Sequence, residues 1–295
     1  MSTLAEKIRA GRFVVTTELT PPKGTDLSEL FAKADALKPF VDACNLTDSP
    51  RARMAVEPKS VGHLLLDRGI EPIIQITARD RNRIAIQGDL LGGALLGLQN
   101  YVFMTGDYPK EGDHPDAKGV FEWNASDMLR AAQSLNRGFD VSGAALKGGV
   151  DLFVGATVNP AADDFTAEVE NTKRKIGAGA QFLQTQALYE VAAMERFLDA
   201  VKPDGVAILA GVIPLKSHKM AVWLNANVPG IRVPDVLLHE LDTVTETDRE
   251  VQTGIAIAVR TMQAIRPLCA GVHIMAMGWE KYIPEMIQVS GLRPV

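Results

Sequence analysis

Thiols, surplus positive charge and long apolar runs are all scarce in this chain, and each shortage excludes something. Only two cysteines occur, Cys44 and Cys269, far apart and outside any CxxC pair. They supply no four-thiolate metal or iron–sulfur centre and no framework of secreted disulfides. The histidines His63, His114, His218, His239 and His273 show no metal-ligand spacing, and no GxSxG, HExxH or P-loop motif appears. No run approaches the ~20 apolar residues of a membrane span. The opening MSTLAEKIRAGRF lacks the apolar stretch of a signal peptide. Lys+Arg number 31 against 36 Asp+Glu, a formal net charge of -5. That balance does not suit a generic nucleic-acid or membrane-surface binder. The expectation is a soluble cytoplasmic protein that binds neither nucleic acid nor membrane.

What is present is ordinary globular composition, 46% hydrophobic and 23% charged over 295 residues. No stretch reads as a linker. Short β-branched apolar runs recur at Arg12–Leu19, Val41–Thr47, Glu71–Thr77, Tyr101–Gly106, Asp151–Val158, Gln181–Gln186, Val206–Pro214 and Gly271–Met277. Flanked by Gly, Pro, Asp or Asn, they read as buried parallel strands. Helical patterns lie between them. Asp26 or Ser28 is the expected cap of a helix through Leu37, and Ser126 of one through Leu135. Thr166 to Ile176 has an acidic first turn and a basic last turn, matching the helix dipole. Thr247–Ile265 is another, stopped by Pro267, and GDLLGGALLG reads as a packed helix. Strand–helix alternation repeated eight times, in the ~250 residues such a fold needs, predicts one (β/α)8 barrel domain over 1–295. The alternative is a doubly wound open sheet, but the position for its glycine loop reads ELTPPKGTD, without GxGxxG.

Active sites of such barrels are built at the C-terminal strand ends. Here those ends carry Glu18; Asn45, Thr47 and Asp48; Gln75 and the ARDRNR run; Thr105-Gly106-Asp107; Asn159; Gln184 and Gln186; Lys216 and His218; and Trp279-Glu280. A polar residue after nearly every apolar run predicts a polar cleft at one barrel mouth. Glu18 follows FVVTT and precedes Pro21-Pro22, so it ends a buried strand. Partial desolvation raises a carboxyl pKa and makes it a general acid near neutral pH. A solvated strand-end carboxylate or a salt-bridge partner fits the same residue, and spacing does not choose. Asp107 fits a carboxylate facing a ligand, and fits better an Asp capping the next loop. Arg79 is placed to recognise an anion, whereas Arg83 reads as structural. Lys173-Arg174-Lys175 reads as a solvated helix face. Gln184 and Gln186 point to one side of their strand, better the mouth than the helix layer. His273, inside the last run, reads as a satisfied core histidine.

The ordered set TELTPP, NLTDSPRARM, QITARDRNR, FMTGD, NP before a helix, KRKIGAGAQFLQTQ, AGVIPLKS and GVHIMAMG resembles the methylenetetrahydrofolate reductase family over essentially the whole chain. The resemblance is to its single-domain bacterial form. It implies a (β/α)8 barrel holding FAD at its mouth, which reduces 5,10-methylenetetrahydrofolate to 5-methyltetrahydrofolate in one-carbon metabolism with hydride from NAD(P)H. Under it, Glu18 matches the general acid that opens the imidazolidine ring. Asp107 matches the aspartate near flavin and folate. Thr47, Lys175 and Glu168 match flavin-side positions, and Gln75, Arg79, Thr105, Gly106, Gly155 and Asn159 complete the cofactor-side set. Gln186 matches a glutamine on the pterin; His218 and Trp279 occupy further substrate-side positions.

There are departures. Thr105 stands for an arginine that helps hold FAD phosphate, and Arg79 or Arg81 is the expected replacement. Asn159 stands for a histidine, His218 for a stacking phenylalanine and Trp279 for an arginine. These departures leave FAD weakly held or absent as an alternative, with hydride passed directly from NADH or electrons fed by a partner subunit. A non-catalytic pterin-binding subunit is a third reading. The family's habit is a homo-oligomer.

Overall fold

A computed structural model describes residues 2–228, 230–244 and 247–292. Helix α1 (Thr3–Arg9) precedes β1 (Val14–Leu19), followed by α2 (Ser28–Leu37), β2 (Ala43–Leu46), α3 (Pro58–Asp67), β3 (Pro72–Thr77), α4 (Arg83–Leu95) and β4 (Asn100–Met104). Then come α5 (Ala125–Asn136), β5 (Phe153–Val158), α6 (Phe165–Gly177), β6 (Phe182–Ala187), α7 (Val191–Val201) and β7 (Ala207–Val212). The helices α8 (His218–Asn227), α9 (Asp235–Asp242) and α10 (Thr247–Ile265) precede β8 (Gly271–Ile274) and α11 (Ile283–Ser290). The strands are parallel and close in chain order, with β8 pairing back onto β1. The expected barrel is therefore the fold, each apolar run supplies its strand, and the open sheet is excluded by closure.

Side chains alternate along a strand, so closure sends every second residue into the lumen. At the N-terminal end the inward set is apolar. Val14, Ala43, Ile73, Val102, Phe153, Phe182 and Leu209 pack with Leu4 and Ala5 of α1, and the rings of Phe153 and Phe182 stack at 5.0 Å. The intervening residues, Val15, Cys44, Ile74, Tyr101, Val154, Leu183, Ile208 and Val272, join the core beneath the helices. Each large apolar side chain so buried contributes roughly 1.5–3 kcal/mol. Two residues further along, the inward set turns polar: Thr16, Asn45, Gln75, Gln184 and His273 are all buried. Asn45 and Gln184 satisfy each other across the lumen, with Asn45 Nδ2 donating to Gln184 Oε1 at 2.7 Å and Gln184 Nε2 to Asn45 Oδ1 at 3.1 Å. Apolar packing thus closes one end, an amide pair forms a floor above it, and the other end is free to carry chemistry.

Two expected caps are corrected. Helix α5 is capped two residues earlier, by Asn124, whose side chain accepts from Ser126 and Asp127 N–H while Asp127 accepts from Asn124 N–H in a capping box. For α2 the N-cap is Leu27, without a side-chain cap, and Asp26 instead accepts from the Ser28 N–H and hydroxyl. The long loop after β4 folds back over the rim. Its Val120 and Phe121 N–H groups donate to the Arg79 and Ala78 carbonyls, and its Asp113 ties Lys23 at 2.6 Å to the Met54 N–H at 3.0 Å.

Candidate active site

The polar rim encloses a cavity of about 570 Å³ lined by Glu18, Thr47, Asp107, Glu168, Lys175 and Gln186, among others. Its most unusual group is Glu18, the inward residue at the end of β1. Its side chain is 25% exposed, and its Oε2 lies 4.0 Å from His273 Nε2. Burial, reinforced by the negative charge of Glu280, pushes its carboxyl up to about 7 from 4.5. His273 is buried and pushed down to about 4, so it is neutral above that pH. Thr16 Oγ1 donates to the Val272 carbonyl at 3.3 Å and lies 3.0 Å from His273 Nδ1. Thr16 thus holds the Nδ1 edge of the ring, and the Nε2 edge is turned toward Glu18. A neutral imidazole beside a carboxyl offers no charge to favour its ionisation.

Across the mouth, the end of β4 carries Asp107. Gly106 takes φ +87°, and a Cβ there would lie 2.9 Å from Thr77 Cβ, so only glycine lets the chain turn this close to β3. Asp107 Oδ2 accepts from the Arg51 N–H at 2.8 Å. The loop it steadies is wound tightly, with positive φ at Ser49, Arg51 and Ala52. Asp48, at the root of that loop, accepts from Thr77 N and Oγ1 and from Arg81 at 2.7 Å. Arg81 also binds Asp89 at 2.8 Å, so it is spent on structure and does not line the cavity. Arg79 does line it, half-held by Asp80 at 2.8 Å and the Ser49 carbonyl at 3.1 Å. Arg83 pairs with Glu122 away from the cavity, as expected of a structural residue.

On the opposite wall Lys175 corrects the reading of a solvated basic face. Lys173 faces out beside Glu170, but Lys175 is buried, and its Nζ donates to the Thr157 carbonyl at 2.7 Å. Burial holds its pKa below the usual lysine range, against the nearby Glu168. Glu168 accepts from the Asn159 N–H at 2.9 Å and from Asn171 at 3.2 Å. Thr47 Oγ1 is buried with no hydrogen-bond partner, an orphan hydroxyl in the cavity wall.

The cavity therefore gathers Glu18, Asp107, Thr47, Gln75, Arg79, Thr105, Gly106, Asn159, Glu168, Lys175 and Gln186. It does not gather three others. Gly155 sits in the lumen against Phe182, whose ring atoms lie 2.9 Å from where its Cβ would be. His218 opens α8, with Nδ1 3.5 Å from Asp242. The Trp279 ring packs edge-on against Tyr282 at 5.0 Å and over Gly254. Gln184 also lines the cavity, but its amide is committed to Asn45. Sequence reasoning missed the place of His273. The signal was its register with Thr16, which puts it on the same inward parity as Glu18.

Fold and site together define a (β/α)8 barrel with a polar cavity at its mouth, on whose wall burial pushes one carboxyl up to about 7. A family model described as methylenetetrahydrofolate reductase matches residues 3–291, and the chain belongs to that family. Among relatives, the 5,10-methylenetetrahydrofolate reductase of Pectobacterium carotovorum is 28% identical over 84% of this chain and 80% of its own length. Methylenetetrahydrofolate reductase 1 of Schizosaccharomyces pombe is 23% identical over 93% of this chain, which spans only 45% of that relative. A Clostridium thermocellum protein, described as binding two copies of 5-methyl-5,6,7,8-tetrahydrofolic acid, shares the fold with a TM-score of 0.63 at 20% identity, covering 98% of this chain and 97% of its own.

Proposed function

We propose that this protein reduces 5,10-methylenetetrahydrofolate to 5-methyltetrahydrofolate, with hydride from NAD(P)H by way of FAD. One observation carries the reading: a carboxyl pushed up to about 7, beside a neutral histidine, on the rim of an open polar cavity. Mere binding of a pterin needs no such group. Glu18 gives its proton to the departing N10 of the imidazolidine ring as the carbon–nitrogen bond breaks, which leaves an iminium at N5 of the substrate. The Asp107 carboxylate faces that cation and stabilises it. Gln186 offers its amide to the pterin.

The residues fit a flavin dinucleotide. The orphan Thr47 hydroxyl lacks an acceptor or donor, and the Lys175 ammonium keeps donors beyond its one bond to Thr157. Glu168 stands beside it as an acceptor for ribose hydroxyls, and Arg79 supplies a second cation. FAD held by these residues would supply the hydride relay between nicotinamide and folate.

A second reading has one observation in its favour. Thr105 adds no cation, so of the residues lining the cavity Arg79 and Lys175 alone offer a cation to any pyrophosphate, against the carboxylates of Asp48, Asp107 and Glu168. That balance weakens the hold on any dinucleotide, flavin or nicotinamide alike, and suits an NADH that binds, passes its hydride directly and leaves over a flavin held permanently. An absorption spectrum of the purified protein, before and after NADH without air, separates the two. A flavin band that bleaches supports the first, and a colourless protein that still reduces the folate supports the second. Glu18→Gln tests the acid in either case, with an expected loss of about a hundredfold or more in folate reduction. Unchanged reduction by a folded variant removes the assignment.

A further inference from the structure

A second cavity, of about 520 Å³, adjoins the first, and Glu18 and Thr20 belong to both walls. Glu18 is thus a partition, open to substrate on one side and to this side cavity on the other. The side cavity is also lined by Asp26, Glu29 and Lys33 from the α2 region and by Met277, Gly278 and Glu280 from the segment after β8.

That last segment is built to hold Glu280 in place. Met277 and Gly278 take φ +48° and +89°, a reversal that a methionine adopts only when its surroundings fix it. Lys216 Nζ donates to the Met277 carbonyl, and the Gly278 N–H donates to Glu280 Oε1 at 3.1 Å. The Glu280 side chain is 18% exposed and its charge is only half answered. Lys33 Nζ stands 3.6 Å from it but 2.9 Å from Glu29. A half-buried carboxylate with surplus negative charge therefore lines the same space as Glu18. We propose that Glu280 is a positioning residue for Glu18: through the side cavity, its charge keeps the proton on the Glu18 carboxyl until substrate takes it.

The remaining groups around Glu18 do not substitute for it. His273 on β8 is neutral, Asp26 is engaged by Ser28, and Glu29 is spent on Lys33. On the substrate side Asp48 is paired with Arg81, Arg79 with Asp80, and Lys175 stands beside Glu168. Asp107, on the main cavity's wall and not the side cavity's, accepts from the Arg51 amide through Oδ2. Lys216 is held at the Met277 carbonyl.

This inference rests on Glu18 as the acid, so the test separates the two. Protein labelled with 13C at the glutamate carboxyl carbon is titrated by NMR, and the Glu18 resonance is assigned as the one missing in Glu18→Gln. Glu280→Gln keeps an oxygen for the Gly278 N–H but removes the charge. The Glu18 midpoint is expected to fall by about half a pH unit or more, and the alkaline limb of kcat/KM to fall with it, a loss of about threefold at pH 8 per half unit. Lys33→Met unmasks Glu280 and moves both in the opposite direction, and it loses that effect in the Glu280→Gln background. A Glu18 midpoint unmoved in Glu280→Gln, or a pH profile that does not follow it, overturns the role of Glu280. Folate reduction that survives Glu18→Gln instead removes the acid assignment itself.

Discussion

Glu18 should make the protein less stable at alkaline pH, and its removal should make it more stable there. The carboxyl titrates near 7 in the fold against 4.5 when unperturbed, so its proton is held more tightly in the native chain than in the unfolded one. Across that window the native state binds more protons, and stability falls as pH rises, levelling off above about 7. Integrating the two titrations gives a loss of about 2.5 kcal/mol between pH 5 and pH 8. Glu18→Gln has no proton to lose and keeps nearly the same shape. Its advantage over the parent should therefore grow by that amount over the same interval. For 295 residues, an unfolding entropy of roughly 0.6 kcal/mol/K converts this to about 4 °C in Tm. Thermal unfolding of both proteins at pH 5 and pH 8, followed by circular dichroism, reads the difference. Equal Tm gaps at the two pH values would refute the desolvated-acid argument, whatever the activity.

Other consequences are independent of that one. Gln184→Leu leaves the Asn45 amide unpaired in the lumen and should cost about 2 kcal/mol in urea unfolding. Adding Asn45→Leu should cost much less than a second such penalty, and strict additivity would show that the two amides are not coupled. Gly106→Ala, at φ +87° against Thr77, should lose about 1–3 kcal/mol and speed hydrogen exchange at the Arg51 amide that Asp107 holds. Burial pushes the thiols of Cys44 and Cys269 up to about 12 and 11. A disulfide reagent at pH 7.5 should label neither until the protein is unfolded, and rapid labelling of native protein contradicts the packing described.

The barrel was legible because its signal is periodic. Eight apolar runs separated by amphipathic stretches admit few closed arrangements, and inward–outward alternation follows once the strands are placed. The strand ends were legible for the same reason, so Glu18, Thr47, Gln75, Thr105 to Asp107, Asn159 and Gln186 come together on the cavity wall. What could not be read depends on register and loop paths, which no local pattern encodes. Lys175 looks like its neighbours Lys173 and Arg174 in sequence, and only the rotation of α6 turns it inward. His273 reads as core until β8 is set beside β1, residue against residue with Thr16. His218 lies near the start of the chain's longest excursion, between β7 and β8, and Trp279 beyond its end, where a position counted along the sequence says little about where a ring will point. Glu280 went unremarked beyond its place at a strand end, because its partner across the side cavity is more than 250 residues away in sequence.

The two causes that hold the Glu18 proton can be ranked against each other. Burial is the larger and the Glu280 charge the smaller, so a change that admits water should act more strongly than one that removes the charge. His273 is the place to make it. The ring is buried beside the carboxyl, with Thr16 beneath it. His273→Ala opens a space bounded by the Thr16 hydroxyl and the Glu18 carboxyl, polar enough for a water to occupy. The new water solvates the carboxylate form, and the Glu18 midpoint should move further toward 4.5 than it does in Glu280→Gln, with the alkaline limb of kcat/KM following. The same variant should regain part of the stability lost at pH 8, offsetting some of the packing it gives up. A smaller shift in His273→Ala than in Glu280→Gln would mean that charge, and not exclusion of water by the closed apolar end of the barrel, keeps the acid protonated.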